Sequence, residues 1–145
     1  MWVIFNNRFL IFMVDSFVLL NLRNYFLHCF YSFSGCNVAR EANAKAIVSV
    51  ASSGYSTAKI SSQRPRATIF GFANKISILR RLNLLWGVKP VYFDRYINTD
   101  QTITDLKAEL KQKGLAESGD LQVHISNMPI NEPGKSNMLK LGYVE

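Results

Sequence analysis

Residues Ala51-Ser52-Ser53-Gly54-Tyr55-Ser56-Thr57 gather hydroxyl side chains around a single glycine. They follow an apolar run and precede a helix-like stretch. Hydroxyls, a glycine and the open N–H groups of a helix start make a phosphate cradle. The same serines also suit ordinary helix capping, and the residues alone leave both readings open. With one glycine and no Gly-Lys behind it, the turn is neither a Walker loop nor a dinucleotide-binding loop.

No catalytic set accompanies this turn. His124 sits on the polar side of an alternating run, which predicts a surface residue rather than a base. Glu41, Asp94, Asp100, Asp105, Glu109, Glu117, Asp120, Glu132 and Glu145 fall mostly at caps, turns and helix faces. They form no DxD or HxxE pattern, so the chain is expected to hold no magnesium, zinc or other metal. Cys29 and Cys36 form no CxxC; His28 is merely adjacent and His124 remote. They read as reduced thiols of a cytoplasmic protein. Arg64, Arg66, Lys75, Arg80 and Arg81 carry enough charge to attract nucleic acid, but lack the interleaved aromatics that stack bases. A solvated face, or partial use against phosphate, is expected instead, with no nucleic-acid partner.

The elements that would position these residues begin near Asn37. Val38 to Ala44 reads as a short helix end. Ala46–Ala51 and Ala67–Phe72 are apolar runs suited to buried strands. Tyr55 to Ser62 fits a short helix stopped by Arg64-Pro65. Asn74 is placed to cap a helix with Ile76, Leu79 and Leu82 or Asn83 on one face, and Val88 to Phe93 forms a third strand. Thr102-x-x-Asp105 resembles a capping box, followed by an Ile103, Leu106, Leu110 stripe and a stop at Gly114. Leu121, Val123 and Ile125 alternate with Gln122, His124 and Ser126, as Leu139, Leu141 and Tyr143 do with Lys140 and Gly142. The link between these runs is too broken for a crossover helix, so they should pair antiparallel. The expected fold is a three-layer α/β sandwich. Its mostly parallel sheet has about five strands, the last antiparallel at the edge.

The N-terminal residues are of another kind. Residues 1–33 hold ten of the eighteen aromatics but only three of the twenty-seven charges, Arg8, Asp15 and Arg23. The apolar stretch from Phe9 to Leu22 is interrupted by Asp15 and Asn21, and falls short of the about 20 apolar residues of a membrane helix. A signal peptide would lack its basic start. Residues 1–35 are expected to be a poorly ordered hydrophobic leader from a mis-assigned start or truncated gene. The domain proper would then be 36–145, with no membrane partner.

Several ordered segments carry a family resemblance. Ala44-Lys45-Ala46-Ile47-Val48, then Ser53-Gly54-Tyr55-Ser56-Thr57-Ala58 and Arg64-Pro65-Arg66-Ala67, resemble the C-terminal domain of pyruvate kinase. Leu84 to Val91, Lys113-Gly114 and Gly119 to Val123 follow in family order, and Thr99 to Thr102, Pro129 to Gly134 and the closing Ser136 to Glu145 resemble Bacteroidetes members especially. The resemblance covers residues 36–145 and implies the same α/β fold.

Pyruvate kinases move a phosphoryl group from phosphoenolpyruvate to ADP with magnesium and usually potassium. Their active site lies in a barrel and lid that precede this domain, and the barrel alone needs about 200 residues. The resemblance therefore implies a detached regulatory and oligomerisation domain, catalytically silent alone and holding no cofactor. In the family, this domain makes subunit contacts and in many members binds a sugar-phosphate effector at the SGxS/T turn. The matching positions are Ser53, Gly54, Tyr55 and Ser56. Ala51 replaces a common threonine. The effector loop is Met128 to Gly134, without Trp or Arg, leaving Lys135 as the nearby cation. Partners implied are a sugar phosphate, a second copy, or full-length pyruvate kinase subunits meeting the strand near Leu139 to Val144. The other readings are a stand-alone effector-binding or assembly module, a domain anchored through residues 9–22, and a nucleic-acid binder.

Overall fold

The computed structural model describes residues 4–5, 9–10, 16–50, 52–128 and 136–145, and within these ranges the side chains from residue 29 onward. Strands β1 (Ile4–Phe5) and β2 (Phe9–Leu10) pair antiparallel by themselves. Helix α1 (Ser16–Glu41) leads into the sequence β3 (Ala46–Val50), α2 (Tyr55–Ser62), β4 (Thr68–Ala73), α3 (Ile76–Leu82), β5 (Val88–Tyr92) and α4 (Thr99–Gln112). Strands β6 (Leu121–Ser126) and β7 (Met138–Tyr143) close the order.

The main sheet runs β5-β4-β3-β6-β7. Its first four strands are parallel, and β7 is antiparallel to β6 at the edge. The expected three-layer α/β architecture is what forms. From β3 the chain winds outward through β4 to β5, then α4 carries it back to β6 on the other flank of β3. The strand order therefore reverses between β3 and β6. In open α/β sheets, ligands bind outside the carboxyl ends of strands at such a reversal.

Strand alternation assigns the layers. Ile47, Ile69, Val123 and Ile125 pack with Ile60 of α2 and Ala39 of α1. Ala46, Val48, Phe70, Phe72 and Val91 pack on the opposite face with Leu106 and Leu110 of α4. Helix α3 adds Ile78 and Leu82 beside Ala73 and Val88.

Several local expectations are corrected. The helix end expected over Val38 to Ala44 stops at Glu41 and closes a 26-residue helix rather than a short piece, and α1 runs straight through the composition boundary near residue 35. Its buried positions there are Ser32, Gly35 and Ala39, small residues that give no large-apolar period. A Cβ on Gly35 would collide with the Ile125 side chain, so the helix lies close against β6. Helix α3 starts after Lys75 without a side-chain cap, and it buries Ile78 and Leu82 while Ile76 is exposed. Asn98, not Thr102, caps α4, accepting the Gln101 N–H at 2.8 Å. Gln122, His124 and Ser126 are all buried, because β6 is an interior strand whose polar side faces the α4 layer.

Candidate functional site

The turn after β3 lies at the strand-order reversal. Gly54 is the N-cap of α2 in the left-handed region at φ 82°. A Cβ there would stand 3.4 Å from Leu82 and 3.6 Å from Ile78, so the backbone conformation is what demands glycine. Serine capping of α2 is not what the geometry shows, since the cap residue has no side chain to accept with. Among the described residues Ser53 Oγ accepts only a long 3.5 Å bond from the Tyr55 N–H.

The hydroxyls divide by environment. Thr57 is fully buried, and its Oγ1 lies 3.0 Å from Ser49 Oγ, stitching α2 to β3. Ser56 Oγ shares a 2.7 Å hydrogen bond with Ser136 Oγ. Ser52 and Ser53 are exposed. The Lys59 ammonium lies 5.5 Å from the centroid of the Tyr55 ring. The structure therefore brings Ser53, Gly54, Tyr55 and Ser56 together at one helix start. It adds Lys59 and Ser136, which sequence reasoning did not single out. Lys59 lies one turn along α2 from Tyr55, a spacing the sequence does carry; Ser136 joins only through the fold. Ala51 and 129–135, including Lys135, lie outside the described residues.

The remaining chemistry-bearing residues go elsewhere. Burial pushes His124 down to about 3, with Lys107 and Lys140 adding to the effect. Neither of its ring nitrogens has a hydrogen-bond partner among the described residues. Cys29 and Cys36 are free thiols, and burial raises Cys36 to about 11, well away from thiolate reactivity. Among the described residues no three His, Cys, Asp or Glu side chains group to hold a metal. No helix among them is long and apolar enough to cross a membrane. The basic set divides: Lys75, Arg80 and Arg81 belong to α3 and its N-cap, whereas Arg64 and Arg66 line a cleft beside α1.

The fold and the turn together define a doubly wound α/β domain with a hydroxyl-lined helix start at its switch point. The chain belongs to the pyruvate kinase family through its alpha/beta domain: the family pattern "Pyruvate kinase, alpha/beta domain" matches residues 32–141. Pyruvate kinase of Lactobacillus delbrueckii subsp. bulgaricus is 34% identical over 103 residues, which is 71% of this chain and 18% of that protein. Pyruvate kinase of Clostridium acetobutylicum is 31% identical over 114 residues, 79% of this chain and 24% of that protein. The solved structure of Cryptosporidium parvum pyruvate kinase in complex with ADP superposes with a TM-score of 0.73 at 25% identity, covering 91% of this chain and 28% of that one. The chain thus spans about a fifth to a quarter of the length of these curated relatives.

Proposed function

We propose that this chain acts as the effector-binding and subunit-contact domain of a cytoplasmic pyruvate kinase, and that these 145 residues alone perform no phosphoryl transfer. The observation that carries the effector reading is the position of the Ser52–Ser56 turn. It follows the carboxyl end of β3 where strand order reverses, and the Ser56–Ser136 bond draws in the chain that follows β6. A sugar phosphate would place its phosphate at the α2 start, against Ser53 and the backbone around Gly54, with Lys59 supplying charge. Titration with glucose 6-phosphate, read by amide chemical shifts, tests it. Shifts centred on Ser53 to Ser56 and abolished by Ser53→Asp support the reading. A flat titration defeats it. Incubation with phosphoenolpyruvate, ADP, magnesium and potassium should yield no pyruvate; turnover abolished by changing one residue of this chain would refute the silent reading.

The subunit-contact reading has its own support. The outer side of β7 has no strand partner among the described residues. Leu141 and Tyr143 are exposed on that strand. An open strand edge with apolar side chains is a template for another chain. Retention of a full-length pyruvate kinase on the immobilised chain, lost on Leu141→Lys, is the expected result.

A further inference from the structure

The three arginines Arg40, Arg64 and Arg66 line one cleft of about 330 Å³ at the far end of the sheet from the Ser52–Ser56 turn. Its walls are the last turns of α1, the turn that feeds β3, and the α2–β4 link. It therefore abuts the amino ends of β3 and β4, whereas the turn follows a carboxyl end. The two places are separate.

Charge balance in the cleft favours an anion. Among the described residues Arg40 has a single carboxylate partner, Glu41, at 3.3 Å, and both side chains are largely exposed. Neither the Arg64 nor the Arg66 guanidinium meets a carboxylate or another hydrogen-bond acceptor among the described residues; the Arg64 guanidinium lies 6.0 Å from the centroid of the Trp86 ring. Helices α1 and α2 both end here, and each carboxyl end carries about half a negative charge. Three guanidinium groups against one carboxylate and two such ends still leave a positive cleft.

The backbone adds a second observation. The two non-glycine residues with positive φ among the described residues are Asn43 at 51° and Arg64 at 48°, and both line this cleft. Asparagine accepts that conformation readily. Arginine does not, and here it also precedes Pro65, which restricts it further. Strain of this kind concentrates at ligand clamps.

We propose that this cleft is a second, separate binding site for a small organic dianion, a phosphomonoester or a dicarboxylate. Guanidinium groups present forked N–H donors matched to both acid types. The volume lies at the small-ligand end of the range for binding pockets, about 300–1,000 Å³. Phe33 supplies an apolar wall for the ligand body.

The test is a titration of the full chain, arginine side chains ¹⁵N-labelled, with phenyl phosphate, malonate, inorganic phosphate and sodium chloride as separate arms. Saturable shifts of the Arg64 and Arg66 side-chain N–H groups are expected with at least one organic dianion. Phenyl phosphate saturating alone identifies a phosphomonoester site, and malonate alone a dicarboxylate site. Arg66→Gln, at an exposed position whose guanidinium has no partner among the described residues, should weaken binding by tenfold or more and leave the fold intact. Ser53→Asp should leave this binding unchanged. Equal responses to all four salts, no saturation, or undiminished affinity in Arg66→Gln would overturn the proposal.

Discussion

The hydroxyls of Ser56 and Ser136 lie 2.7 Å apart, joining two points eighty residues distant in the chain. One belongs to the first turn of α2, the other to the approach to β7. Ser136 is buried, so its hydroxyl cannot exchange freely to water when Ser56 is removed. The bond makes the C-terminal hairpin and the turn after β3 one structural unit.

A double-mutant cycle on Ser56→Ala and Ser136→Ala should return a coupling of about 0.5–1.5 kcal/mol, the net value of an intramolecular hydrogen bond. Urea unfolding supplies the measurement, and additive single mutants would show that the two hydroxyls act independently.

His124 should impose an acid limit on stability. Its folded value, about 3, lies below the about 6.5 of an unfolded histidine. Between these values the unfolded chain binds the extra proton. The stability contributed is therefore present above about pH 6.5 and is lost as pH falls toward 3. The loss should approach about 1.4 kcal/mol per pH unit. His124→Leu should flatten that limb, with carboxylate effects left common to both curves. Identical wild-type and variant pH profiles would rule this out.

Asn98 and Thr102 should behave oppositely to the capping-box spacing. Asn98→Ala removes a real cap and should cost about 1 kcal/mol. Thr102 is fully buried and its hydroxyl has no partner among the described residues. Thr102→Val keeps the shape and should be neutral or stabilising. Thermal melts of the two variants distinguish the assignments.

Gly71 in β4 should tolerate no side chain. A Cβ would stand 2.8 Å from Leu82 Cδ1, 3.3 Å from Thr57 Cγ2 and 3.4 Å from Val88 Cγ1. Leu82 and Thr57 are buried and cannot simply swing out. Gly71→Ala should cost about 1–3 kcal/mol as overpacking. Urea midpoints of wild type and variant check it.

Much of this fold is legible in the sequence because its strands are continuous apolar runs with turn residues at their ends. Ala46–Val50, Thr68–Ala73 and Val88–Tyr92 fall within a residue or so of where the runs place them. The broken link before Met138 correctly implies an antiparallel last strand. What the sequence hides is burial by the wrong residue types. Ser32 and Gly35 pack α1 closely because they are small, and small residues do not mark a helix face. Gln122, His124 and Ser126 alternate as a solvent-facing strand would, yet the other layer covers them. The turn at Ser53 to Ser56 was visible as a local string. Its partner Ser136, and the convergence of Arg40 with Arg64 and Arg66, depend on contacts across layers that no local pattern encodes.

The reversal in strand order also governs how the chain must be assembled during synthesis. Strand β3 can join β4 after a short helical crossover, but its other neighbour, β6, begins only at Leu121, some seventy residues beyond Val50. While the ribosome makes the intervening chain, the central strand of the finished sheet is an edge, with one flank of backbone unpaired. Non-local pairing of this kind is slow, and an unpaired apolar edge is where wrong partners attach. The central strand of the folded sheet is thus an open edge in the nascent chain, and a chaperone that shields it would act before β6 emerges.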